Sequence, residues 1–124
     1  MENFQQFTVK KSTKHGANHW IAHRVTAIAN VFFTLWFAVS IIMIANGSIE
    51  SARAWLATPI NAIVMILMLI NIFYHATLGI RVVIEDYVHC KCMKIGLLLA
   101  TFFASFGAAT IAVVSVLKIL FTTL

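Results

Sequence analysis

The chain is predicted to be all-α, with three transmembrane helices running up-down-up, the N-terminus cytoplasmic and the C-terminus periplasmic. Three observations predict this. First, 61% of its 124 residues are hydrophobic and only 10% are charged, too little charge for a water-soluble domain of this size. Second, the apolar residues gather into three runs, 25–45, 60–80 and 95–117, each near the roughly 20 residues a helix needs to cross the hydrocarbon core. The runs are continuous rather than alternating and far longer than a barrel strand, which excludes a β-barrel. Third, the basic residues are sorted by connection. Lys10, Lys11, Lys14 and Arg24 precede the first run, and Arg81, Lys91 and Lys94 flank the connection between the second and third. Arg53 alone marks the first connection and Lys118 alone the far end. By the positive-inside rule the N-terminus and second connection are cytoplasmic. The net charge of +5 is therefore a topology signal and not the footprint of a nucleic-acid partner.

Taken in order, residues 1–24 are polar and basic, with Phe4, Phe7 and Val9 forming an amphipathic lead-in along the membrane surface. They lack the short apolar core of a signal peptide, so the first span is expected to stay in the mature protein. That span covers about 22–45, and Asn46-Gly47-Ser48 ends it in a turn. The second covers about 57–84, with Pro59 in its first turn, where a missing N–H costs nothing. The third covers about 95–119 and carries Gly96, Ala100, Ala104, Ala108 and Ala112, a small residue at every fourth position. Such spacing lets helix backbones approach closely in lipid, so this face is expected to meet another helix, of this chain or of a partner. The whole of 1–124 reads as one domain without repeats or linkers, set in a bacterial inner membrane as a multi-pass protein. Cys90 and Cys92 lie in the second connection, on the reducing side, where a structural disulfide is not expected. With His89 they make only half of a metal site, and they read as ordinary loop residues.

The chemistry concentrates on the second span. Ionisable groups are expensive at bilayer depth, so one that is present has a partner or a task. His75 is such a group, about 16 Å of helix from Asp86, where the span leaves the membrane. Asn71, His75, Gly79, Val82 and Asp86 share one stripe of that helix. Imidazole binds metals and haem iron, and Gly79, one turn away, clears side-chain bulk for a flat macrocycle. Alternatively, Asn71 satisfies the ring by a hydrogen bond; the residues leave both readings open. On the first helix, His15, His19 and His23 are spaced by four and Arg24 follows. These are lead-in residues rather than a zinc site. Arg24 enters the membrane on the side from which Asp86 and Tyr87 leave it, so a cation, a carboxylate, a phenol and imidazoles are expected to converge there. Guanidinium pairs with carboxylates such as haem propionates, although an arginine at this depth also serves simply to anchor a helix. Tyr87 places an O–H donor at the depth of a quinone headgroup, with Asp86 beside it as a proton source. An interfacial tyrosine on its own is equally an aromatic-belt residue.

The pattern Trp20-Ile-Ala-His-Arg24-Val-Thr26-Ala27 before an apolar helix, then His75-Ala-Thr-Leu-Gly79, then Asp86-Tyr87-Val, resembles the small hydrophobic membrane-anchor subunits of succinate dehydrogenase, respiratory complex II. The resemblance covers the whole three-span layout. It implies that His75 is one axial ligand of a haem b whose other ligand comes from a sister cytochrome b anchor subunit. It implies that Tyr87 hydrogen-bonds ubiquinone with Asp86 beside it, and that Arg24, with His19 or His23, lies near the haem propionates and the quinone pocket. It further implies iron–sulfur and flavoprotein partner subunits that oxidise succinate and pass electrons to the quinone, with this chain non-catalytic by itself. An anchor of the related fumarate reductase shares the same logic. A small proton-relaying transporter or channel subunit would need more polar lining than Asn61, Asn71 and His75 offer, and a holin-type protein would make His75 and Asp86-Tyr87 incidental.

Overall fold

The computed structural model describes residues 2–123, and side chains from Ala17 onward. Four helices follow one another: α1 (Glu2–Ile44), α2 (Ile49–Leu56), α3 (Pro59–Tyr87) and α4 (Lys91–Thr123). Three of them contain stretches long and apolar enough to cross a membrane, Ala17–Ile44, Pro59–Tyr87 and Lys91–Thr123. The chain is a multi-pass membrane protein.

The first span and its polar lead-in form one helix of 43 residues, about 64 Å long at 1.5 Å per residue. That is about twice the thickness of the hydrocarbon core, so the polar N-terminal turns extend beyond it. No proline interrupts residues 2–44, and Gly16 alone does not end a helix whose hydrogen bonds continue on both sides. The surface-lying face ascribed to Phe4, Phe7 and Val9 concerns side chains outside the described residues.

The first connection is more ordered than a turn followed by loop. Ser48 caps α2: its side chain accepts a hydrogen bond from the Ser51 backbone N–H at 3.2 Å, and Ser51 Oγ donates to the Ser48 carbonyl at 2.7 Å. Gly47 permits this packing, because a Cβ there would collide with Ser51 Oγ. Trp55 of α2 packs on Trp36 of α1 with ring centroids 5.5 Å apart, and Asn61 Nδ2 donates to the Trp55 carbonyl at 2.9 Å. The connection is thus tied to both long helices it joins. The sequence hid α2 because its eight residues are too few to show a helical period against two flanking apolar runs.

The arrangement is an open row with α3 in the middle. Cross-links between Thr26 and His75, and between Asn30 and Asn71, fix α1 antiparallel to α3. Residues 88–90 turn the chain back into α4, which packs along the other side of α3. Buried Met68 and Leu78 lie on the α3 face that carries His75, whereas buried Ala62 and Ile84 lie on the opposite one. Little else is enclosed: at most 11% of the most apolar stretch of any span is buried within the chain. Phe32, Leu35, Phe103, Phe106 and Ile111 all point outward. Water cannot cover that surface at tolerable cost, so lipid or other subunits must. Gly96, Ala100, Ala104 and Ala108 are exposed, and only Ala112 of this stripe is partly covered. The small-residue face of α4 therefore turns away from the chain's own helices.

Candidate functional site

His75 sits near the middle of α3, half-buried against α1. Its Nδ1 lies 2.8 Å from Thr26 Oγ1. The same hydroxyl lies 2.7 Å from the Ala22 carbonyl and 3.1 Å from the His23 carbonyl. Two oxygens at 2.7 Å need a hydrogen between them, a carbonyl has none to give, and the hydroxyl has only one. That hydrogen points back along α1, so toward His75 the Thr26 oxygen can only accept. Nδ1 must then carry the imidazole proton, which leaves the Nε2 lone pair free in the neutral ring. Nε2 has no hydrogen-bond partner among the described residues, and none of their buried side-chain nitrogens or oxygens is left without one. Nε2 is therefore not fully enclosed by this chain.

Thr26 is itself braced. It is 9% exposed, and Asn71 Nδ2 donates both to its carbonyl at 3.0 Å and to Asn30 Oδ1 at 2.6 Å. Asn71 thus does not touch the ring, as the stripe on α3 had suggested it could. It lies one turn from His75 and reaches across to α1 instead. Sequence inspection set Thr26 only in a motif and passed over Asn30. An asparagine within an apolar span is the signal that could have singled out Asn30, since such a residue needs a partner.

His23 packs against His75, ring centroids 4.6 Å apart and planes tilted by 35°. His19 is placed differently: with Asn18, Arg81, Val82 and Glu85 it lines a cavity of about 490 Å³ along one edge of the α1–α3 seam. A second cavity, about 600 Å³, runs between α3 and α4 past Tyr74, Thr77 and Phe106. Neither cavity is lined by His75. Around Gly79, half-exposed and one turn from His75, a Cβ would meet nothing within 4 Å. Open space therefore lies one helical turn from His75 on the same stripe of α3.

The expected convergence of Arg24 with Asp86 and Tyr87 is not formed by this chain alone. Arg24 is two residues before Thr26, about 200° around α1, and so turns away from α3. Its guanidinium lies 4.9 Å from the centre of the Trp20 ring, a cation–π contact on an exposed face. The α1–α3 register puts Arg24 level with residue 77, about 14 Å along the axis from Asp86. Asp86 and Tyr87 end α3, both exposed, Tyr87 at 78%. No hydrogen bond holds either side chain among the described residues, and the only ion pair among them is Arg81–Glu85 at 3.0 Å, within α3. His15 lies among the residues whose side chains are not described. Among the described residues no three histidine, cysteine or carboxylate side chains gather into a metal-binding group.

Comparison with known proteins follows this layout. The family model described as succinate dehydrogenase/fumarate reductase transmembrane subunit matches residues 5–117. A succinate dehydrogenase hydrophobic membrane anchor subunit of Rickettsia bellii is 37% identical over 89 residues, 72% of this chain and 71% of the relative. The protein of the same description from Rickettsia felis is 33% identical over 86 residues, 69% of this chain and 72% of the relative. No solved structure matches.

Proposed function

Because this chain belongs to the succinate dehydrogenase/fumarate reductase transmembrane-subunit family and is a membrane anchor of succinate dehydrogenase type, we propose that it supplies half of a haem b site and part of a ubiquinone site. His75 would hold the haem iron from this chain, and a sister cytochrome b anchor subunit seated against the open side of α3 would supply the second ligand. Flavoprotein and iron–sulfur subunits dock on the cytoplasmic face, where the positive-inside rule sets the N-terminus and the α3–α4 connection. The membrane is the bacterial inner membrane, in keeping with the Rickettsia relatives.

The observation that carries this reading is the contact of His75 Nδ1 with Thr26 Oγ1, which leaves Nε2 without a partner among the described residues. Nδ1 lies 2.8 Å from Thr26 Oγ1, and the space around Gly79, one turn away, is open. An imidazole whose far nitrogen is hydrogen-bonded and whose near one is free has the donor set of a haem ligand, and the residues present fit the group. Bound there, haem would supply a one-electron carrier in the low-dielectric middle of the membrane. His23, against one face of the ring, restricts its rotation. Arg24, on the outer face of α1, is positioned to pair with an anionic group of an adjoining subunit or a propionate at that surface.

At the end of α3, Tyr87 and Asp86 face outward where the helix leaves the membrane. The Tyr87 hydroxyl is suited to donate a hydrogen bond to a quinone carbonyl, and Asp86 to pass protons from the cytoplasm. Reduction of one ubiquinone to ubiquinol takes two electrons, from succinate oxidation in the partner subunits, and two protons. The chain orients the acceptor and does not itself oxidise succinate. The family description covers succinate dehydrogenase and fumarate reductase alike, and the relatives' descriptions favour the former.

The test is the optical spectrum of the complex purified from membranes. A b-type signal that is present in the wild type and lost in an assembled His75→Ala complex is expected; a wild-type complex without haem would overturn the reading. In the same preparations Tyr87→Phe should lower quinone reduction at least tenfold while succinate oxidation by a soluble artificial acceptor is kept. Equal loss of both activities would remove Tyr87 from the quinone site.

A further inference from the structure

We propose that Thr26 is a positioning residue that sets the tautomer and the donor strength of His75, and that Asn71 and Asn30 hold Thr26 in place for this task. The inference rests on the proposal that His75 ligates haem, but it assigns a role to residues of a different helix.

Thr26 gives its single hydroxyl hydrogen to the Ala22 carbonyl at 2.7 Å, so its oxygen can only accept from His75 Nδ1–H at 2.8 Å. A valine in the same place would fill nearly the same volume but offer no acceptor. The imidazole would then be free to move its proton to Nε2 and turn toward another acceptor, and the ligand lone pair would be lost from the outer surface. An acceptor on Nδ1–H also leaves more electron density on Nε2, which strengthens the bond to iron.

Thr26 is buried at 9% exposure, so little water can compete for the hydroxyl. Its turn of α1 is pinned to α3 by Asn71, which bonds the Thr26 carbonyl and Asn30 Oδ1 at once. The two cross-helix bridges, Asn71 to α1 and His75 to Thr26, are one turn apart on α3. Sliding or rotating α1 would break both together. The polar residues in this seam thus form a single clamp whose free end is Nε2.

The experiment uses the intact complex with Thr26→Val, Thr26→Ser and Thr26→Cys, read by haem content per complex, the reduction potential of the haem and the low-temperature EPR signal of its ferric form. Thr26→Val is expected to lower haem affinity by about 10–100-fold. It should also shift the potential of any retained haem upward, because a less basic imidazole stabilises ferric iron less. Thr26→Ser, which keeps the hydroxyl, should restore both values, and Thr26→Cys, a weaker acceptor of similar size, should fall between. If Thr26→Val does not assemble, the Ser and Cys variants still give the order. A purely structural role would follow side-chain volume rather than acceptor strength. Haem content, potential and EPR signal unchanged in Thr26→Val or in Thr26→Cys would overturn the role of Thr26 while leaving His75 as the ligand. A wild-type complex without b-type haem, or haem retained unaltered in His75→Ala, would overturn the ligand reading and this inference with it.

Discussion

The two seams of α3 are built on opposite principles. Toward α1 the contact is polar: Thr26, Asn30, Asn71 and His75 are joined by directed hydrogen bonds of 2.6–3.0 Å. Toward α4 the contact is packing: Ala62 and Ile84 of α3 and Val116 of α4 are the buried side chains, with no hydrogen bond crossing between α3 and α4 among the described residues. In lipid, apolar contact gains little from exclusion of water, so the α4 seam depends on close fit. The α1 seam depends instead on each polar group having its partner, because a group left alone in hydrocarbon loses several kcal/mol. The difference shows where the protein needs exact register. A packed seam tolerates small slips, whereas a hydrogen-bonded one holds its groups to a single register.

Three substitutions separate these principles. Ala62 is fully enclosed, so Ala62→Leu forces α3 away from its neighbours at a cost of about 1–3 kcal/mol. A lower thermal midpoint of the detergent-solubilised complex, with an unaltered haem spectrum in whatever remains assembled, is the expected result. A spectral change there would mean that the packed seam also sets the geometry of His75.

Asn71→Leu removes two of the three hydrogen bonds of the polar seam and strands Asn30 Oδ1. The expected loss is about 1–2 kcal/mol, accompanied this time by a shifted or broadened haem signal. The double variant Asn30→Leu/Asn71→Leu should be more stable than the single one, since no unpartnered amide is left. A double variant worse than Asn71→Leu would show that Asn30 matters through something other than this pair.

The smallest effect belongs to neither seam. Arg81 and Glu85, about half-exposed and one turn apart on α3, form an ion pair at 3.0 Å. Glu85→Gln should change stability by only about 0.3–0.5 kcal/mol. A change in quinone reduction from this variant would instead place the cavity shared by His19, Arg81 and Glu85 on the path of the substrate or its protons.

The three apolar spans, and the place of His75 near the middle of the second, can be read along the chain, because hydropathy and helical rise act locally. The sequence also determined that Pro59 opens a helix and that a single histidine at bilayer depth needs explaining. Within α3, it even put Asn71 and His75 on one stripe. What that stripe faces depends on how the helices meet. The partner of His75 is Thr26, 49 residues away, and Asn71 turns to Asn30 rather than to the imidazole beside it. The rotation of α1 likewise directs His23 inward and Arg24 outward, although they are adjacent in sequence, and the small-residue stripe of α4 ends up outside. Periodicity tells which residues share a face of one helix, but the angle at which two helices meet is set by many side chains at once. A hydrogen bond between helices depends on that angle.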